Sequence, residues 1–336
     1  MTILVTGAAG FIGMHVCHAL LNKGLKVIGI DNFNDYYSPK LKQDRVSTLV
    51  NHPSFAFDTV DIADYELLNT VFKKHAIKQV VHLAAQAGVR YSLKNPHAYG
   101  NSNLIGFTNI LETSRQYQIE HLVFASSSSV YGSNVKIPFE ESDNVDHPIS
   151  LYAATKKANE VMAHSYAHLF GIPCTGLRFF TVYGPWGRPD MATWLFTEAI
   201  LKGKPINVFN NGDLKRDFTY IDDIVEGVVR VLDHVPKANP VFDKQQPDPA
   251  SSFAPYRLFN IGNHQPVALE VFIATLEQAL GKKAIRNLLP MQDGDVYATY
   301  ANTDRLQQAV GFSPNTELKV GLERFVKWYR EYHQHP

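Results

Sequence analysis

Six short runs rich in β-branched and aromatic residues punctuate the first half of the chain: TILVTG, KVIGID, FAFDTVD, QVVHLA, HLVFAS and CTGLRFF. Segments of helical length separate most of them. That rhythm predicts βαβ units, and therefore a parallel sheet covered by helices on both faces. The expected fold class is α/β, with a Rossmann-type doubly wound parallel sheet over residues 1–180. A smaller C-terminal α/β lobe is expected over 181–336, with some of its elements free to return to the first sheet. After Pro185 the pattern loosens into a helix near 192–202, a strand at INVF and a helix from about 222 to 234. Residues 236–257 hold five prolines among Asp, Gln and Ser and read as a surface excursion. In the closing segment LKVGLERFVKWYREYHQH, Val320, Phe325, Trp328 and Tyr332 fall near helical spacing, which predicts a terminal helix with a core-facing stripe.

Composition narrows the classes without choosing among them. The chain has 336 residues, enough for one large α/β unit with an added lobe, and 45% hydrophobic with 19% charged residues is globular composition. Its formal net charge is zero, so there is no basic excess to draw nucleic acid, and an anionic ligand has to be met by a few local cations. Cys17 and Cys174 are the only cysteines, too few for a disulfide framework or a metal cluster, and a reducing, cytoplasmic setting fits them. The N-terminal MTILVTGAAGFIG lacks the basic and apolar regions of a signal peptide, and no stretch approaches the ~18 apolar residues of a membrane span.

The first chemistry appears where TILVTG runs into Gly7, Gly10 and Gly13 and a helical pattern follows. Glycines suit a tight strand-to-helix turn whose backbone approaches a pyrophosphate, with the helix N-terminus supplying free N–H groups. The spacing is G-x-x-G-x-x-G rather than the more familiar G-x-G-x-x-G, and a purely structural turn would also use glycine. Asp31 tips the balance. It ends the second run 18 residues after Gly13, close to the ~20 expected for a carboxylate that accepts hydrogen bonds from an adenosine ribose. A carboxylate there repels a 2′-phosphate, so NAD is expected rather than NADP. Phe11, Ile12 and Asn32 join this candidate set. Asp61 and Ile62 stand where the adenine would lie, although an Asp there serves equally well as a loop cap. Leu83, Ala84 and Ala85 end the fourth run with side chains small enough to let a cofactor cross, or simply to let a helix pack.

Tyr152 and Lys156 are four residues apart in a helical pattern, so both emerge on one face. A phenol of pKa ~10 is a poor base near neutrality unless an ammonium stabilises its phenolate. Upstream stands the hydroxyl row of SSSSVYG, residues 126–132.

The strings TGAAGFIG, HLAA, SSSSVYG, YAATK and RDFTYIDDI resemble, in that order, the extended short-chain dehydrogenase/reductases that include nucleotide-sugar epimerases and dehydratases. DNFNDYY, AAQAGVRYS and RFFTVYGPWGRPDM look like the UDP-glucuronate 4-epimerase branch. The resemblance implies reversible C4 epimerisation through a 4-keto sugar with tightly bound NAD. It makes Tyr152 the base, gives Lys156 the nicotinamide ribose and a pKa-lowering role toward Tyr152, and sets Ser127 on the sugar O4. Dehydratases of the family carry an Asp-Glu pair where Ser128 and Ser129 stand, and decarboxylases commonly carry Glu at the latter. A serine hydroxyl cannot serve as such an acid, so oxidation and return without elimination is expected. The resemblance also implies Arg216 on the UDP diphosphate and Asp295 on the uridine ribose; a surface ion pair and a loop cap are their plainer alternatives. For a C6 carboxylate the candidate partners are Ser127, Ser128, Ser129, Thr181 and Arg188, with Arg90 weaker. Asn103 is expected to support the site or to cap a helix. A homodimer through helices near 101–117 and 151–170 is implied as well.

Overall fold

A computed structural model describes residues 1–292 and 295–334. The six runs form the parallel strands β1 (Thr2–Thr6), β2 (Lys26–Asp31), β3 (Phe55–Thr59), β4 (Gln79–His82), β5 (His121–Ser127) and β6 (Cys174–Phe179). Further strands are β7 (Thr181–Tyr183), β8 (Pro205–Val208), β9 (Lys215–Tyr220), β10 (Tyr256–Ile261), β11 (Pro266–Ala268) and β12 (Ile285–Leu288). The main sheet has the order β10-β6-β5-β4-β1-β2-β3. Alternate side chains leave it on opposite faces, as strand geometry requires: Ile3, Val5, Val81 and Val123 enter one apolar core, whereas Leu4, Val80, Leu122 and Phe124 enter the other. The central strands are apolar on both sides because helices cover both, whereas the edge strand β3 is only half-buried.

The chain reverses its winding direction between β1 and β4, which opens a crevice at their C-terminal ends. β10 pairs in parallel with β6 and so returns the C-terminal half to the first sheet. The remaining strands form a small lobe in which β9 lies between β7 and β11, while β12 pairs with β8. Asp217 of β9, fully buried, locks this lobe. Its carboxylate accepts hydrogen bonds from the amides of Asn263 at 2.7 Å and Ala301 at 3.0 Å.

Two expectations need correction. Residues 237–249 are largely exposed, as a surface excursion should be, but Ala250, Ser252 and Ala254 are buried. They lead the chain into β10, whose first residue, Tyr256, occupies the core beside the helix Leu151–Phe170. In the terminal helix Leu318–His333 the buried stripe is Leu322, Phe325, Val326 and Tyr329. Trp328 and Tyr332 are only half-buried and meet Trp186 at its edge, with ring centroids 5.2 and 5.1 Å away. Among the described residues no helix is long and apolar enough to cross a membrane.

Replacing Asp217 with Ala orphans two buried amides, each costing about 1–3 kcal/mol. Urea denaturation should therefore show a loss of roughly 2–6 kcal/mol, with Asp217→Asn, which keeps one acceptor, losing less.

Candidate active site

β1 ends at Thr6, and the chain turns through Gly7 at φ +70° into the helix Phe11–Asn22. The Gly10 amide donates to the Gly7 carbonyl at 2.8 Å. A Cβ on Gly7 would lie 2.8 Å from the Ala84 nitrogen, and one on Gly13 would lie 2.1 Å from the Gly7 oxygen. Neither position tolerates a side chain. Thr6 Oγ1 accepts the Leu83 and Ala84 amides at 3.1 Å each, fixing the ends of β1 and β4 relative to each other. No acidic side chain occupies the first turn of the helix, so its free amides face the crevice.

Asp31 closes β2. Its carboxylate accepts the amides of Phe33 at 2.9 Å and Ala9 at 3.2 Å; burial pushes its pKa up, while those amides and nearby Lys42 and Arg45 pull it down. Asn32 donates to Asp61 at 3.1 Å, and Asp61 also accepts the Ala63 amide at 2.9 Å. Phe11, Ile12, Ile62, Leu83, Ala84 and Ala85 complete this end of one cavity of about 1060 Å³. Ligand pockets usually run to about 1,000 Å³ at most, so this cavity has room for a cofactor and a second molecule. The Cβ-free cradle, the helix N-terminus and the carboxylate at the end of β2 fit a dinucleotide.

At the middle of the cavity β5 ends in Ser127, whose Oγ accepts the Ser129 amide at 3.1 Å and lies 3.1 Å from Ser129 Oγ. The helix Leu151–Phe170 begins beside it, capped by Ser150 Oγ on the Ala153 amide at 3.1 Å. Tyr152 and Lys156 project from this helix into the same space, and Lys156 Nζ donates to the Ala125 carbonyl at 2.8 Å. Burial lowers the Lys156 pKa to about 8. The expected depression of Tyr152 by Lys156 does not emerge: burial raises the phenol, and the groups pulling it back are the Ser127 hydroxyl and the charge of Arg188.

Ser128, Thr181 and Arg188 line the same space. Arg188 meets Asp190 through two hydrogen bonds, Nε to Oδ1 at 3.0 Å and Nη2 to Oδ2 at 2.6 Å, and Tyr36 donates to Asp190 Oδ2 at 3.0 Å. Burial disfavours the Asp190 carboxylate, but Arg188 and Tyr36 outweigh it and hold the carboxyl below its usual range.

At the far end stand Arg216 and Asp295. Arg216 donates to the carbonyls of Lys215 at 2.9 Å and Tyr297 at 3.1 Å; burial lowers its pKa, with Asp295 opposing and Arg90 reinforcing the shift. Arg90 lines the same cavity, where it pairs with Asp295 at 2.8 Å and lies over the Phe209 ring at 5.2 Å. Asn103 lies outside the cavity wall, on a π-type turn over Gly100–Ile105. It accepts the Gln86 amide at 2.8 Å and donates to Gln86 O at 3.1 Å and Thr155 Oγ1 at 3.0 Å, fastening the loop after β4 to the Tyr152 helix.

The residue pattern missed Tyr36, Lys42, Asp190 and Phe209, all lining the cavity. Tyr36 stands within DNFNDYY and Asp190 within GRPDM, but their pairing spans 154 positions and has no local signature.

The profile of the NAD dependent epimerase/dehydratase family matches residues 3–243, and the chain belongs to that family. It is 49% identical to the probable UDP-glucuronate 4-epimerase of Rhizobium meliloti, over 98% of this chain and 97% of that protein. It is 51% identical to UDP-glucuronate 4-epimerase 4 of Arabidopsis thaliana, over 99% of this chain and 76% of that protein. The crystal structure of UDP-glucuronic acid 4-epimerase from Bacillus cereus, in complex with UDP-glucuronic acid and NAD, superposes with a TM-score of 0.87 at 34% identity. That match covers 99% of this chain and 100% of the other.

The depressed Lys156 pKa carries a stability signature. From 10.5 to about 8, the shift makes the buried ammonium cost about 3 kcal/mol at and below neutral pH, and nothing once the amine is neutral in both states. In NAD-stripped protein, Lys156→Met should gain roughly that stability at pH 7. The gain should vanish as pH rises from about 8 through 10.5, as followed by urea denaturation across a pH series.

Proposed function

We propose that this family member interconverts UDP-glucuronate and UDP-galacturonate by inverting C4 through a 4-keto sugar, retaining NAD throughout. The observation that carries the reading is where the cavity's carboxylates lie. Asp31 and Asp61 are at the glycine turn, Asp190 is bound by Arg188 and Tyr36, and Asp295 is paired with Arg90. Beside Tyr152 the wall offers hydroxyls instead. Elimination needs a free acid there, whereas oxidation and return at C4 needs only a base and a hydride carrier.

Gly7, Gly10 and Gly13 leave room for the pyrophosphate, and Asp31 accepts hydrogen bonds from the adenosine ribose. NAD held by that turn would supply the acceptor and donor for the C4 hydride. Tyr152 removes the O4 proton and restores it, with Ser127 donating a hydrogen bond to the same oxygen. With a pKa of about 8, Lys156 is mostly protonated at pH 7 and binds the nicotinamide ribose, while the Ser127 hydroxyl and the charge of Arg188 oppose the cost of forming phenolate in a buried site. Arg216 and Asp295 receive the nucleotide.

A 4-keto uronic acid is a β-keto acid and loses CO₂ readily, so its carboxylate has to be restrained. Arg188 meets Asp190 through Nε and Nη2, and its guanidinium together with the hydroxyls of Ser128, Ser129 and Thr181 lines the wall that would receive the carboxylate. The protein is further read as cytoplasmic, with Cys17 and Cys174 as buried free thiols, and as supplying uronate donors for polysaccharide synthesis. It is read as a homodimer, through the apolar side chains that Ile105, Val161, Leu169 and Phe170 expose on the helices named above.

Removing the Tyr152 hydroxyl deletes the base but little packing. Tyr152→Phe should fold normally and lose about 10²–10⁴ in kcat; activity within about threefold of the parent would remove the tyrosine from this role. NMR of the products and kcat/KM for a panel of UDP-sugars should favour UDP-glucuronate and UDP-galacturonate over UDP-glucose and UDP-galactose. Equal turnover of the neutral pair, or UDP-pentose as the main product, would contradict the uronate assignment.

A further inference from the structure

Arg45 and Arg178 are the largest fully buried side chains, and the chemistry above uses neither; Arg178 is paired with Glu160, whereas Arg45 has no carboxylate on it among the described residues. It lies on the helix Pro39–Ser47 and forms no ion pair among the described residues. Its Nη1 donates to the Ala9 carbonyl at 3.1 Å and to the Tyr37 hydroxyl at 2.7 Å. Its Nη2 donates to the carbonyls of Trp186 at 2.7 Å and Gly187 at 3.2 Å. The remaining Nε is buried without a partner among the described residues. A guanidinium confined to carbonyls and one phenol is a costly way to fill space, and a methionine would fill it more cheaply.

What the fork touches explains why it is there. Ala9 sits inside the glycine turn, and its amide donates to Asp31. Trp186 and Gly187 immediately precede Arg188. Trp186 adopts φ +62°, a left-handed conformation that a tryptophan rarely takes, with its ring against Trp328 and Tyr332. Packed there, it turns two successive carbonyls toward Arg45. Tyr332 also donates to Asp44 at 2.7 Å, so the terminal helix braces the residue next to Arg45.

We propose that Arg45 is a positioning residue that ties the cofactor turn to the loop carrying Arg188, so that NAD retention and restraint of the substrate carboxylate depend on one buried guanidinium. The inference rests on the role given above to Arg188. Lysine keeps the charge but has no planar fork to span Ala9 and the 186–187 carbonyls together.

The test compares the parent enzyme with Arg45→Lys, Arg45→Met and Tyr37→Phe, the last removing one hydrogen bond from a half-buried side chain. Three quantities are read: NAD released per chain on denaturation, the ratio of UDP-pentose to UDP-galacturonate formed from UDP-glucuronate, and Tm. For Arg45→Lys the expected result is loss of at least about half the bound NAD, with about a tenfold rise in the UDP-pentose ratio. Tyr37→Phe should move both in the same direction by about two- to threefold. Folded Arg45 variants that keep the parent's NAD content and product ratio while only Tm falls would overturn the proposal, leaving Arg45 as scaffold. Should both Arg45 variants fail to fold, an unchanged NAD content and product ratio in Tyr37→Phe would overturn it equally. A parent enzyme that makes no UDP-galacturonate refutes the functional reading instead, and the tie then stands or falls on the NAD content of the variants.

Discussion

The cavity depends on backbone meeting backbone at Gly7. Its carbonyl lies 2.1 Å from where a Cβ on Gly13 would stand, and its own missing Cβ would press on Ala84 at 2.8 Å. With those side chains absent, the helix Phe11–Asn22 starts directly beneath the end of β1, and β4 can pass alongside. Thr6 then sets the spacing with one hydroxyl shared between the Leu83 and Ala84 amides. The crevice arises from the strand order, but its usable width comes from this contact. Asp31 and Tyr152 line a single cavity because nothing bulky stands between the strand ends.

A second constraint holds the reaction centre in place without taking part in the chemistry. Glu160, one turn beyond Lys156, receives Ser126 Oγ at 2.6 Å and two Arg178 nitrogens at 2.8 and 2.9 Å. Arg178 also donates to Tyr131, which donates to Asn260 of β10 at 2.7 Å. All these groups are buried and satisfied, and a network in that condition fixes geometry more firmly than it adds stability. It fastens the serine turn to the helix bearing Tyr152 and Lys156. Among the described residues Lys156 Nζ donates one hydrogen bond, to the Ala125 carbonyl, and burial lowers its pKa. The scaffold around Tyr152 and Lys156 is saturated while the Lys156 ammonium is penalised by burial, the arrangement expected where pKa shifts serve chemistry.

Local signals were legible in the sequence, and long-range pairings were not. Six strands, the glycine turn, Asp31 and the Tyr152–Lys156 face each follow from spacing within a few residues to one βαβ unit. The return of β10 depends on pairing with a strand some 80 positions earlier, and nothing in YRLFNI names its partner. The pairing of Arg90 with Asp295 spans 205 positions and leaves no local signature. The direction of the Tyr152 shift was misjudged for a related reason: a nearby lysine can be read from sequence, but the desolvation that outweighs it depends on how completely the helix start is buried. Residues 250–254 went the same way, since small residues in a proline-rich segment give no sign of being packed.

The pairing of Arg188 with Asp190 changes how a uronate is told from a neutral sugar. An unpaired arginine beside C6 would repel a CH₂OH group by leaving a buried cation unanswered, and charge alone would then set the preference. Here Asp190 answers it in advance, with Tyr36 holding Asp190 in place. A neutral sugar therefore meets no bare charge, and a carboxylate gains less from Coulomb attraction than an isolated arginine would give it. The same holds at the nucleotide end, where Arg90 already has Asp295. In the proposed mechanism the C6 carboxylate thus meets a cation already neutralised by Asp190, whereas Arg216, in no ion pair among the described residues, keeps its charge for the diphosphate. On the reading given above, discrimination at C6 rests on whether the ligand offers oxygen acceptors to the Arg188 guanidinium and to the serine row at the correct angles. Side chains that merely hold the Arg188 loop in register then contribute to specificity as directly as those that touch the sugar.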